Sequence, residues 1–307
     1  MFSFNDKISL RQIQALIILE IFGFGIISLP RQVYQIASKD GWISVVLGCV
    51  FVLFIAFILL KLSKHFKPNI IVAFILAIRL GYIGAFHLNI FGDIIKEFML
   101  PNTPVFIVAA AMLFICAYAS SKGLETRARL AEILLPIAFL PLIIIFSLSL
   151  RDVDFANLTP ILSQPVENIL QGSLKTIMAF SGIEVLILVY PYINKPQKLV
   201  KSWLAAIVIL CLSIIAITVL TIARFGEGIV YYRFPIIMMM DTTSLQGSIL
   251  ERQGALIITF WIISAFANIS SMLFFSSLVL RDALKKGTHS IYIIIMAVLI
   301  FVGRWFV

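Results

Sequence analysis

Two carboxylates, Glu20 and Glu184, lie inside apolar runs long enough to cross a membrane. An ionisable side chain there is costly and marks a substrate, proton or water pathway unless a structural role accounts for it. Each sits close to glycine. Glu20 is one turn ahead of Gly23 and Gly25 in "FGFGIISLP", and Glu184 ends "AFSGIE", just after Ser181 and Gly182. A helix broken at such a point exposes N–H groups at the start of its second half and carbonyls at the end of its first. The two breaks together suit the two ends of a zwitterion. On this reading a carboxylate meets the N–H groups of Gly25, Ile26 and Ile27, beside Gly23 and Phe24. An ammonium group meets carbonyls near Phe180 and Ser181, and glycine at 23, 25 and 182 permits close backbone approach.

Glu184 also has a purely structural reading. Ser181 and Glu184 have capping-box spacing, in which Ser Oγ accepts from the N–H three residues on and the Glu reaches back to the N-cap N–H. The two roles are compatible. His87 and Asn89 in the third apolar run, and Ser264 and Asn268 in the eighth, are the other polar groups at mid-depth, as ligand contacts or interhelical hydrogen bonds. The sequence has no phosphate loop, metal cluster or nucleophile constellation, so neither an enzyme nor a cofactor is expected.

The elements that must position these residues are membrane helices. The chain has 307 residues, 61% hydrophobic and 13% charged, with a mean hydropathy of +1.08. A span needs roughly 20 apolar residues, and nine such windows lie near 12 to 36, 42 to 60, 80 to 98, 104 to 119, 133 to 150, 174 to 193, 203 to 223, 255 to 280 and 291 to 304. The first lacks a cleavage site of small residues and is read as a retained span. Cys49, Cys116 and Cys211 fall in three different windows and read as buried small hydrophobes. With the N-terminus in the cytoplasm, 15 Lys and Arg residues face inward and 9 outward, so the net charge of +9 follows from membrane topology and calls for no nucleic acid.

The glycine pairs fall at matching depth in spans that enter from opposite sides, which predicts an inverted repeat with spans 1 and 6 broken at the midplane. Close packing of unbroken helices is the competing use of such glycines. The whole chain reads as a single domain, with repeat 1 near 11 to 150 and repeat 2 near 172 to 307. Residues 69 to 78 read as an interfacial helix, and the outer segments 151 to 171 and 224 to 254 as caps over the outer mouth. Within the second cap, "IMMM" reads as an apolar helix face rather than a cofactor box.

The motifs "GFGIISLP" and "FSGIE…NKPQK" resemble those of the amino acid–polyamine–organocation (APC) superfamily. More narrowly, the chain resembles the endospore germination permeases, the B subunits of spore germinant receptors. The supporting segments are "EFMLPNTP" at 97 to 104, "GLETRARLAEI" at 123 to 133, "NLTPIL" at 157 to 162, "FSGIEVLILVYPYI" at 180 to 193, "FPIIMMMD" at 234 to 241 and "ERQGALIITFWIISAF" at 251 to 266. The resemblance implies an all-α LeuT/APC-type fold in the inner spore membrane. It also implies a small germinant, often an amino acid, bound between spans 1, 3, 6 and 8, and partner A and C subunits. An amino-acid permease working by alternating access, or an ion or water channel, fits the same composition and topology. The family has ten spans; nine are read here, with a tenth missing after "GRWFV" and repeat 2 therefore incomplete.

Overall fold

The computed structural model describes residues 7–150, 153–194, 198–241 and 253–307. Their α-helices are α1 (Leu10–Ala37), α2 (Gly41–Ser63), α3 (Ile70–Phe98), α4 (Val105–Ser121), α5 (Gly123–Ser149), α6 (Val166–Ala179), α7 (Val185–Val189), α8 (Leu199–Phe225), α9 (Pro235–Asp241), α10 (Gln253–Leu284) and α11 (His289–Gly303). Each of the nine apolar windows falls on one of these helices, the sixth on the α6 and α7 pair. By length and composition alone, five helical stretches of the described residues can cross a membrane, and a sixth if α4 and α5, bent by 117°, count as one.

Large apolar side chains cover the outside, among them Phe54, Ile78, Phe114 and Ile133. Such a surface suits lipid and not water. The protein is an integral membrane protein. Cys49, Cys116 and Cys211 are buried and unpaired in disulfides.

Local chemistry sets the helix starts. Ser9 and Gln12 form a capping box at α1, with Ser9 Oγ accepting from Gln12 N at 3.2 Å and Gln12 Oε1 from Ser9 N at 2.9 Å. Asn69 caps α3, its Oδ1 accepting from Val72 N at 2.9 Å. From that cap α3 runs unbroken for 29 residues. Residues 69 to 78 are therefore the first turns of span 3 and not a separate interfacial helix. The reason is that the apolar pattern continues through Leu80 to Ile83, so a single charge at Arg79 does not end it.

Packing brings α1, α2 and α6 into contact at small residues. A Cβ added at Gly48 on α2 would lie 2.4 Å from Thr176 Cβ on α6, and one at Gly172 on α6 would lie 2.6 Å from Ser44 Oγ on α2. Membrane helices lack a water-driven hydrophobic force between them, and close approach at such residues supplies the van der Waals contact instead. At one end of the bundle, buried Asp40 accepts from Leu162 N at 2.8 Å, Gln164 N at 2.8 Å and Ser163 Oγ at 3.1 Å. Asn157 Nδ2 donates to Ala223 O at 2.9 Å. These bonds hold residues 157 to 164, part of the first segment read as a cap, against the helix ends. In the second, α9 buries Ile236, Ile237 and Met239, so this part of the "IMMM" run packs as an apolar face; residues 242–252 of that segment lie outside the described residues. At the opposite end, Ile8 forms an isolated parallel bridge with Ile193 through Ile8 N to Tyr192 O, 2.8 Å, and Asn194 N to Ile8 O, 3.1 Å.

Candidate functional site

The break in span 6 is present. α6 ends at Ala179, residues 180 to 184 form turns, and α7 begins at Val185. Gly182 has φ +103°, a backbone conformation that L side chains rarely adopt. Turn bonds run from Phe180 N to Ile177 O, Ser181 N to Met178 O, Ile183 N to Phe180 O and Val185 N to Gly182 O. That pattern leaves the carbonyls of Ala179 and Ser181 with no backbone donor among the described residues.

The break expected in span 1 is absent. α1 is helical through Gly23, Phe24, Gly25 and Ile26, and Pro30 also lies inside it. The N–H groups of residues 25 to 27 are thus inside a helix, not at the start of one, and the proposed carboxylate site there is withdrawn. Gly25 serves packing instead: an added Cβ would lie 2.4 Å from the Ala179 carbonyl oxygen. The end of the broken helix rests in the gap that this glycine leaves on the unbroken one.

The capping box at 181 to 184 is also corrected. Ser181 Oγ donates to Met178 O at 2.5 Å rather than accepting from the Glu184 N–H, and Glu184 itself occupies the N-cap position of α7 without a side-chain cap bond. Glu184 does reach back, but to the N–H of Gly182, with Oε2 at 3.2 Å. Its Oε1 accepts from Arg79 Nε on α3 at 2.6 Å. Arg79 is not among the residues expected from the sequence, because reading 69 to 78 as an interfacial helix puts Arg79 at its end and outside the third apolar window. An unbroken α3 places Arg79 within a helix long and apolar enough to cross a membrane, and an acidic side chain is then its natural partner.

A cavity of about 660 Å³ lies between these groups. Phe24, Gly25 and Ser28 of α1 line it, with Ile55 and Leu59 of α2, Arg79 and His87 of α3, and Phe180, Ser181 and Glu184 of the break. Its walls are mostly apolar with a few converging polar groups, the usual constitution of a small-molecule site. α2 contributes a wall that the expected site, between spans 1, 3, 6 and 8, did not include. The Arg79 side chain is 56% exposed and that of Glu184 11%.

Asn268 stands behind the cavity and is not part of its lining. Its Oδ1 lies 2.5 Å from His87 Nδ1, and its Nδ2 donates to the Glu20 backbone carbonyl. One amide thereby joins α10, α3 and α1. Phe24 stacks on the His87 ring at 4.2 Å and meets Trp261 edge-on at 5.3 Å. Ser264 is buried on α10 one turn before Asn268, and Asn89 is half-buried on α3; neither lines the cavity. Glu20 is buried with Oε1 unpartnered among the described residues, facing Gly182 across 3.9 Å from its would-be Cβ. The charges acting on Glu20 are Arg127 and Glu184. Arg127, buried on α5, donates to Ser271 Oγ at 2.5 Å and lies over the Phe274 ring at 4.8 Å. Among the described residues no group of three or more His, Cys, Asp or Glu side chains could hold a metal ion.

The sequence model of the spore germination proteins matches residues 7–305. The chain belongs to the spore germination protein family. Spore germination protein YndE of Bacillus subtilis (strain 168) is 28% identical over 303 residues, covering 93% of this chain and 84% of YndE. Spore germination protein A2 of the same organism is 24% identical, covering 93% of this chain and 83% of A2. Among solved structures, MhsT in complex with L-phenylalanine superposes with a TM-score of 0.75 at 14% identity, covering 96% of this chain and 78% of MhsT. A Na+-coupled sialic acid symporter superposes at 0.65 with 12% identity, covering 97% and 73%. These likenesses establish the LeuT-type transporter fold for this spore germination protein.

Proposed function

We propose that this chain is the B-type, nutrient-sensing subunit of a spore germinant receptor. It lies in the inner spore membrane with its N-terminus in the cytoplasm, and it binds a small germinant, an amino acid by preference, in the cavity bounded by α1, α2, α3 and the break at 180 to 184. The observation that carries this reading is the cavity itself, walled by a transporter-type broken helix in a member of the spore germination protein family. Binding shifts a conformational equilibrium by its differential affinity for the two states, and the shift passes to A- and C-type partner subunits. Spores carrying this chain as their sole B-type subunit should respond to a defined set of nutrients, and A- and C-type subunits should co-purify with it. Spores with an unaltered nutrient response after its deletion would refute the role.

The transporter fold of the solved relatives favours a second reading, a permease working by alternating access. Substrate-driven uptake by the isolated protein in sealed vesicles would support it; binding without uptake supports sensing.

A further inference from the structure

Two cations, Arg79 and Lys175, and one anion, Glu184, line the cavity, and Glu184 is paired with Arg79. Arg79 Nε and Glu184 Oε1 are 2.6 Å apart, both groups line the cavity, and the guanidinium makes no other hydrogen bond within the described residues. Its remaining N–H groups point to no protein acceptor although a guanidinium offers five donors suited to bidentate carboxylate binding. Ser181, which also lines the cavity, has a carbonyl that the turn leaves without a backbone donor among the described residues. An anion-binding fork and a carboxylate thus line one space.

We propose that Arg79 and Glu184 form a charge latch that opens to take a zwitterionic α-amino acid. The guanidinium receives the ligand carboxylate, and the Glu184 carboxylate receives its ammonium. This rests on the cavity being the germinant site, and it places the carboxylate on a side chain because the unbroken α1 offers no N–H groups.

Electrostatics favour the exchange. A charge moved out of water must find an opposite charge or lose solvation it cannot recover. A zwitterion entering the split pair leaves both of its members matched, whereas a ligand with only one charge leaves Arg79 or Glu184 without its opposite charge. The apolar remainder of the cavity, with Phe24, Phe86, Met178 and Phe180, suits an aliphatic or aromatic side chain. The latch also connects binding to conformation: Glu184 Oε2 holds the Gly182 N–H at the turn, so drawing Glu184 toward a ligand pulls on the break.

The test uses the full chain in lipid nanodiscs, titrated by thermal shift with L-leucine and L-phenylalanine, their amides, their N-acetyl derivatives, D-glucose and inosine. The wild-type protein should bind the free amino acids roughly tenfold or more tightly than either derivative, the scale of one charge-assisted hydrogen bond. Arg79→Gln should abolish the preference over the amides and keep the preference over the N-acetyl forms; Glu184→Gln should do the reverse. Should either variant not be recovered folded, Arg79→Lys and Glu184→Asp, which keep the charges, must retain both preferences. Equal weakening of all ligands by both variants would mean a merely structural ion pair and overturn the latch. Binding of D-glucose or inosine but no amino acid would overturn the latch and leave the cavity as the germinant site. No binding by any compound that triggers germination would overturn both.

Discussion

Gly25 and Gly182 occupy neighbouring places for different physical reasons. Gly25 leaves room for a backbone carbonyl, and Gly182 adopts a positive φ with Met272 Cε 2.7 Å from where a Cβ would stand. A side chain at 25 has to displace backbone, which overpacks the α1 and α6 contact at a cost of roughly 1–3 kcal/mol. Gly25→Val is expected to lower the thermal midpoint of the purified protein and abolish the germinant response, with Gly25→Ala intermediate. Asn268→Ala removes the amide that ties His87 to the Glu20 carbonyl and leaves buried groups unpaired, a loss of about 1–3 kcal/mol that thermal denaturation should read directly. The sequence made the polar residues visible but not their pairings. Glu184 was conspicuous as a charge in an apolar run, and its restart of a broken helix was legible from Ser181 and Gly182. Its bonds to Arg79 and the Gly182 N–H were not, because the partner on α3 is 105 residues away and an N–H chosen by a tight turn depends on φ at Gly182.

At the scale of elements, glycine marks two things that a sequence pattern cannot separate: a helix that stops and a helix that another backbone approaches. Span 6 stops at Ala179, where Gly182 needs φ +103°. Span 1 continues through Gly23 and Gly25, because the helix keeps its own hydrogen bonds and Gly25 accommodates its neighbour. Asp40 makes most of the side-chain bonds that hold the loop at 157 to 164, with Asn157 making another. Asp40→Ala removes three hydrogen bonds to Leu162, Ser163 and Gln164, each of a kind contributing about 1.5–3 kcal/mol when an ionised group accepts. The variant should be cut faster between 159 and 165 by protease added outside right-side-out vesicles. Resistance equal to wild type would place the loop's anchoring elsewhere, and cleavage only from the inside would reverse the assigned orientation.

For the whole molecule, membrane class and helix order were legible in composition and in the spacing of apolar windows, since lipid requires each crossing segment to satisfy its own backbone. The lateral placement of helices was not legible, and it is what made α2 a wall of the cavity and moved Asn268 behind it. The germinant site should be a space that the ligand fills. The three native cysteines are buried, and Ser181 lines the cavity, so Ser181→Cys gives a single reporter there for a small membrane-permeant thiol reagent. Labelling of that cysteine in spore membranes should slow in proportion to occupancy by a nutrient that triggers germination through this receptor, and should not change with a nutrient that acts through another. Labelling at the same rate with and without the effective germinant, at concentrations that saturate the response, would show that the germinant binds somewhere else.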